Sequence, residues 1–138
     1  MYQRIAHVAI IVRDYDEAIA FYTQKLDFQL IEDTPLDKNK RWVLVAPIGA
    51  KECAILLAKA SNEQQDGSVG NQTGGRVGFF LFTDDFWRDY NKMNKRNIKF
   101  ARPPATLEHG IVAVFEDLYG NQWDLIEPSA KNKGLMEL

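Results

Sequence analysis

The chain is poor in the residues that carry much of protein chemistry. It has one cysteine and two histidines in 138 residues. One cysteine excludes an intrachain disulfide and suits a reducing, cytoplasmic compartment. Two histidines leave little for a conventional metal centre. Neither sign of charge dominates: 17 Lys and Arg stand against 19 Asp and Glu, a net charge of −2, so nucleic acid is not expected as a partner. No apolar run approaches the ~20 residues that span a bilayer, and Met1 leads into a strand without a charged and apolar leader, so no membrane partner is expected. A Gly-x-Ser-x-Gly elbow, a P-loop and a dinucleotide fingerprint are all missing. Gly74-Gly75 alone reads as a turn into a strand.

What is present is a repetition. Ile5-Ala6-His7-Val8-Ala9-Ile10 opens one half and Gly75-Arg76-Val77-Gly78-Phe79-Phe80 the other. Each is a strand-type apolar run followed by an acidic helix start, Asp14-Tyr15-Asp16-Glu17 and Asp84-Asp85-Phe86-Trp87. Second strands follow at Phe28 to Ile31 and Ile98 to Ala101, and third strands at Trp42 to Ala46 and Ile111 to Phe115. A glycine turn comes next, at Gly49 and at Gly120-Asn121, and fourth strands close each half, Cys53 to Ala58 and Trp123 to Glu127. A near-constant offset of 69 or 70 positions pairs His7 with Arg76, Trp42 with Val112 and Ala54 with Asp124. The spacing predicts an α+β fold, a duplicated β-α-β-β-β module whose sheets form a cup, or half-barrel, with the helices outside. The chain then reads as one domain: a first module over 1–60, a linker loop over 61–74, a second module over 75–128 and a tail over 129–138.

Asp14 is placed as the N-cap of the first helix, whose buried stripe is Ala18, Ile19, Tyr22 and Leu26. The second helix starts at Asp84 or Asp85, buries Phe86, Tyr90 and Met93, and stops near Asn97. Lys38-Asn39-Lys40-Arg41 reads as a solvated loop, Cys53 as a small buried hydrophobe in mid-strand, and Arg102-Pro103-Pro104 as punctuation without a counterpart in the first half. Leu135 and Met136 are the apolar residues with which the tail could dock.

His7 followed by Ala18-Ile19-Ala20-Phe21-Tyr22, and the closing run from Phe115 through Asp117, Gly120, Asn121 and Asp124 to Ile126, resemble the vicinal oxygen chelate superfamily. That superfamily includes glyoxalase I, extradiol dioxygenases and bleomycin-resistance proteins. The resemblance covers Ile5 through Pro128 and implies a homodimer, with a cup built within one chain or across two. Metal-binding members place ligands on the first and fourth strands of each half. By that pattern the positions here are His7, Ala54 (or Leu56 after a slip of two), Arg76 and Asp124. Alanine and leucine cannot bind metal, and a guanidinium has no lone pair to give. His7 and Asp124 remain, short of the three protein ligands of catalytic zinc. His109, on the opposite strand parity, is a poor replacement.

Alternation places Ala9, Trp42, Leu44, Gly78, Phe80, Val112 and Val114 on the same face, an apolar cup of the kind that takes small molecules. Arg76 is expected to pair with Asp124 and to leave donors for an anionic ligand. Gln72 reads either as a lid residue at the mouth or as a solvated loop residue. The expectation is a protein that binds a small organic molecule with Trp42, Arg76, Phe80, Gln72, Val112 and Val114 and needs no cofactor. Two alternatives stay open: a lyase or dioxygenase dependent on Fe, Ni, Zn or Mn held by His7 and Asp124, and a metal-free enzyme using those two as acid and base.

Overall fold

A computed structural model describes residues 1–132 in two compact units, the first ending at Gln72 and the second beginning at Thr73. Leu135 and Met136 lie outside the described residues. The first unit runs β1 (His7–Val12), α1 (Tyr15–Ala20), a π-helical turn (Phe21–Lys25), β2 (Gln29–Pro35), β3 (Arg41–Ala46) and β4 (Ala54–Lys59). The second runs β5 (Val77–Phe82), α3 (Phe86–Lys95), β6 (Phe100–Leu107), β7 (Gly110–Glu116) and β8 (Gln122–Pro128). The sheet orders are β1-β4-β3-β2 and β5-β8-β7-β6. In each unit the first strand runs parallel to the fourth and the other neighbours are antiparallel. The helix carries the chain to the far edge, and a three-stranded meander brings it back. The duplicated β-α-β-β-β reading is therefore correct.

Side-chain alternation supplies each unit with one apolar face for its helix. In the first unit Ile10, Val12, Val43, Val45 and Leu57 are fully buried together with Ala18 of α1 and Tyr22 of the π-turn. Full burial of each such side chain contributes roughly 1.5–3 kcal/mol. Asp14 caps α1, its carboxylate accepting from the Glu17 amide at 2.9 Å. The second unit packs aromatics instead: ring contacts run from Phe86 to Tyr90, Phe100, Phe115, Trp123 and Phe79, with centroids 4.6–6.2 Å apart. Asp85 is its N-cap, accepting from the Arg88 amide at 3.1 Å.

The 70-residue offset holds through the middle of the repeat. Asp27 and Asn97 both take a left-handed backbone, φ 59° and 63°, a conformation that short polar side chains tolerate. Val43 and Ala113 are likewise 70 apart and face Leu57 and Leu125, both wholly buried. Leu57 and Leu125, however, are only 68 apart. The loop between β3 and β4 is two residues longer than the one between β7 and β8. His7 pairs with Ala54, while Val77 pairs with Gln122. The counterpart of His7 is thus Val77 rather than Arg76, and the counterpart of Asp124 is Leu56 rather than Ala54.

Smaller expectations also shift. The segment 61–74 is not all loop: α2 (Glu63–Asp66) forms within it, capped by Asn62 accepting from the Gln65 amide at 2.8 Å. Cys53 is exposed and precedes β4. Arg41 is bound rather than solvated, forking onto Asp33 at 2.7 and 3.1 Å and reaching Asp16 at 3.0 Å. Arg102-Pro103-Pro104 lies inside β6 between two register shifts. Prolines lack a donor, and β6 tolerates them because it is an edge strand. Among the described residues no helix is long and apolar enough to cross a membrane.

The turn into β8 is held by one buried carboxylate. Asp117 accepts from the amides of Tyr119, Gly120 and Asn121 at 3.0–3.2 Å, from Asn121 Nδ2 at 3.0 Å and from Trp123 Nε1 at 3.4 Å. Gly120 takes φ 103° there, which favours glycine. Hydrogen bonds to a charged group are worth about 1.5–3 kcal/mol each, and buried donors left unpaired add to the loss. Asp117→Ala should therefore destabilise the protein by roughly 3 kcal/mol, lowering the urea midpoint by about 1–2 M. An unchanged midpoint would mean that water replaces the carboxylate at little cost.

Candidate ligand-binding faces

Each sheet has a second face, turned away from its helix. In the first unit this face carries His7, Ala9, Trp42, Leu44 and Leu56. The register pairs His7 with Ala54, Ala9 with Leu56 and Leu44 with Leu56. The His7 ring stands edge-on to Trp42, with centroids 6.2 Å apart and planes at 74°. An open hollow of about 180 Å3 adjoins His7 and is lined also by Arg4, Leu44, Lys51, Cys53 and Ala54. His7 therefore borders aromatic and aliphatic carbon and the hollow that Arg4 and Lys51 also line, with no carboxylate among its lining residues.

In the second unit Trp123 belongs to the aromatic stack beneath α3, so alternation sends Asp124 to the opposite face. One row crosses all four strands there: Arg102 pairs with Val114, Val114 with Asp124, and Asp124 with Phe80. Val112, Ile126 and Phe82 form the next row. Val114 and Ile126 are buried, whereas Phe80 is 61% exposed, unusual for a large ring in mid-strand. Burial pushes the Asp124 carboxyl above its ordinary range, and the Arg102 charge pulls it back in part. Desolvation dominates because it disfavours the charged form.

Val112, Val114, Phe80 and Asp124 occupy the expected face, as do His7 and Trp42 on theirs. Arg76 does not. It lies before β5, exposed, and forms no ion pair with Asp124. The cause is a bulge: Val77 faces Gln122, Phe79 faces Trp123, and Gly78 is the extra residue. Asp124 therefore meets Phe80, and the cation that acts on it is Arg102. Gly78 does not leave room for a ligand either, since a Cβ there would collide with the Thr73 side chain. Gln72 is neither lid nor solvated residue. Its side-chain oxygen accepts from the Ile11 amide at 2.8 Å and its nitrogen donates to the Ala9 carbonyl, so it clamps the free edge of β1. His109 sits in the tight turn between β6 and β7.

Among the described residues no three of His, Cys, Asp and Glu come together. On its own sheet His7 neighbours Ala54, and Asp124 neighbours Phe80 and Val114. Hydrocarbon side chains offer a divalent ion nothing.

Residues 4–125 match the Glyoxalase/Bleomycin resistance protein/Dioxygenase superfamily. The chain belongs to that superfamily. An uncharacterised protein of Shewanella frigidimarina is 57% identical over 95% of this chain and 98% of its own length. The solved structure of UcmS2 is similar with a TM-score of 0.81 and 29% identity, covering 92% of this chain and 99% of that one. TnmS3, an antibiotic binding protein from Streptomyces sp. CB03234, is similar with a TM-score of 0.77 and 27% identity, over 93% of this chain and 98% of that one. By register the four positions here are His7, Leu56, Val77 and Asp124, with hydrocarbon at two of the four.

The sequence alone gives no role to Arg102, which acts on Asp124, or to Asp117, which holds the turn into β8. The Pro-Pro pair after Arg102 marks an edge strand, and the Asp-x-x-Gly-Asn spacing marks the turn; both signals are visible once the register is known.

The raised Asp124 proton affinity has a direct consequence. The folded state holds this proton more tightly than the unfolded chain, so its contribution to stability is full below the unfolded value and is lost as pH rises through the folded one. Asp124→Asn should raise the melting temperature at pH 7 and leave it nearly unchanged at pH 3. In a carboxyl NMR titration, Arg102→Gln should move the Asp124 midpoint further up. A downward move would show that Arg102 does not act on this carboxyl.

Proposed function

We propose that the protein binds a small, largely apolar organic molecule, without a resident metal, on the helix-free face of its second sheet. The observation that carries this is Phe80: a ring 61% exposed in mid-strand, beside buried Val114 and Ile126 and next to one half-buried carboxyl group. A flat aromatic beside aliphatic carbon, with few polar groups, is the composition of small-molecule sites. The first sheet presents a related surface in Trp42, Leu44 and His7. The similarity to TnmS3, an antibiotic binding protein, supports a drug-sized organic molecule as the ligand. The lone cysteine is in keeping with a cytoplasmic location.

A neutral bicyclic probe, 2-naphthalenemethanol, tests the reading. It should bind in calorimetry, survive treatment with EDTA unchanged, and weaken about tenfold in Phe80→Ala, the loss of one aromatic contact of roughly 1.4 kcal/mol. Binding abolished by EDTA would favour a metal-dependent lyase or dioxygenase instead.

The assembly we propose is a homodimer. Both sheets are open, with β1, β2, β5 and β6 at their edges, and Leu30, Ile31 and Phe82 add exposed apolar surface. Unpaired strand edges and apolar patches of this kind are commonly covered by a second copy. Sedimentation equilibrium at micromolar concentration should give twice the 15.8 kDa chain mass; a single-chain mass overturns the proposal.

A further inference from the structure

Two arginines of this protein are tied up in ion pairs that hold the fold. Arg41 is saturated by Asp33 and Asp16, and its guanidinium lies 5.1 Å from the centre of the Tyr15 ring. Arg88 is held by Asp84 at 2.8 Å and Asp89 at 2.9 Å. Arg102 differs. Among the described residues it makes no hydrogen bond or ion pair, although its charge is felt at Asp124. It stands directly opposite Val114 and therefore on the same face as Phe80 and Asp124. Two prolines follow it, which confines its backbone to an extended form and presents the side chain from a rigid edge.

We infer that Arg102 makes this face selective for organic anions, its guanidinium taking the carboxylate of a small aromatic acid whose ring lies over Val114 towards Phe80. The inference rests on the small-molecule reading of the same face. The chemistry follows from the fork of the guanidinium, which matches a planar carboxylate with two parallel N–H donors. The dimensions agree: Arg102 and Phe80 stand three strand spacings apart, about 14 Å between backbones. A bicyclic acid spans what is left. Asp124 stands two strands in from Arg102 and does not bond to it, so among the described residues the fork remains open. Arg76, the cation expected for this role, lies before β5 and outside this row.

The experiment compares 2-naphthoate with its neutral analogue 2-naphthalenemethanol at pH 7, by calorimetry, on the native chain and on Arg102→Gln. The native protein should prefer the carboxylate by about tenfold, the equivalent of about 1.4 kcal/mol. Arg102→Gln should bind the alcohol within twofold of the native value and lose the preference. Should that variant fail to fold by circular dichroism, the salt dependence of the native protein decides: 0.5 M NaCl should weaken naphthoate several-fold and leave the alcohol unchanged. Equal binding of the two probes by the native protein, a preference that survives in folded Arg102→Gln, or a naphthoate affinity indifferent to salt overturns the inference and leaves the small-molecule reading standing. If neither probe binds, that reading fails at this face and the inference with it.

Discussion

The position of β8 is the constraint on which the second unit depends, and one buried carboxylate sets it. Asp117 gathers the donors of Tyr119, Gly120, Asn121 and Trp123 and closes the turn in five residues. Everything downstream follows from that count. Trp123 enters the aromatic stack under α3, Asp124 is turned to the other face, and the two meet Phe79 and Phe80 across a parallel pairing. A carboxylate that satisfies several backbone donors is a strong local organiser because each donor would otherwise be stranded away from water. The first unit makes the same connection with seven residues and no such carboxylate, using Gly49 in a left-handed turn instead.

That difference of two residues explains what could and could not be read from the sequence. Strand side chains alternate with period two, so a slip of two changes partners without changing faces. Trp42, Val112, Val114, Phe80 and Asp124 therefore fall on the faces expected of them, and so does His7. The pairing of particular positions across the repeat is a different matter. It needs the absolute register, which depends on loop lengths and on the bulge at Gly78, and neither leaves a periodic trace. The offset puts Arg76 opposite Asp124, whereas the register leaves it before β5 and outside that row. Arg102, which does reach the face, was obscured by the prolines beside it: they look like an interruption, and in an edge strand they are not one.

Gln72 shows a second limit. Its amide occupies the free edge of β1 by pairing with the Ala9 carbonyl and the Ile11 N–H, as a neighbouring strand would. Such a contact joins residues 61 and 63 positions apart through a side chain in a loop, and no local pattern signals it. Its effect is to satisfy backbone groups that an edge strand otherwise exposes to pairing with other chains.

The electrostatics of the two sheets differ in a way that bears on function. His7 sits against Trp42 and a hollow whose lining includes Arg4 and Lys51 and no carboxylate. Asp124 is partly desolvated and faces a guanidinium that is close enough to influence it yet bonded to nothing among the described residues. An ion pair closed upon itself, like Arg41 with Asp33, fixes the fold and has little left to offer a ligand. A pair held apart across Val114 keeps its donors and acceptors for something else. The proposed recognition of an organic molecule draws on the second kind of arrangement. Among the described residues Arg102 on β6 is the cation so placed.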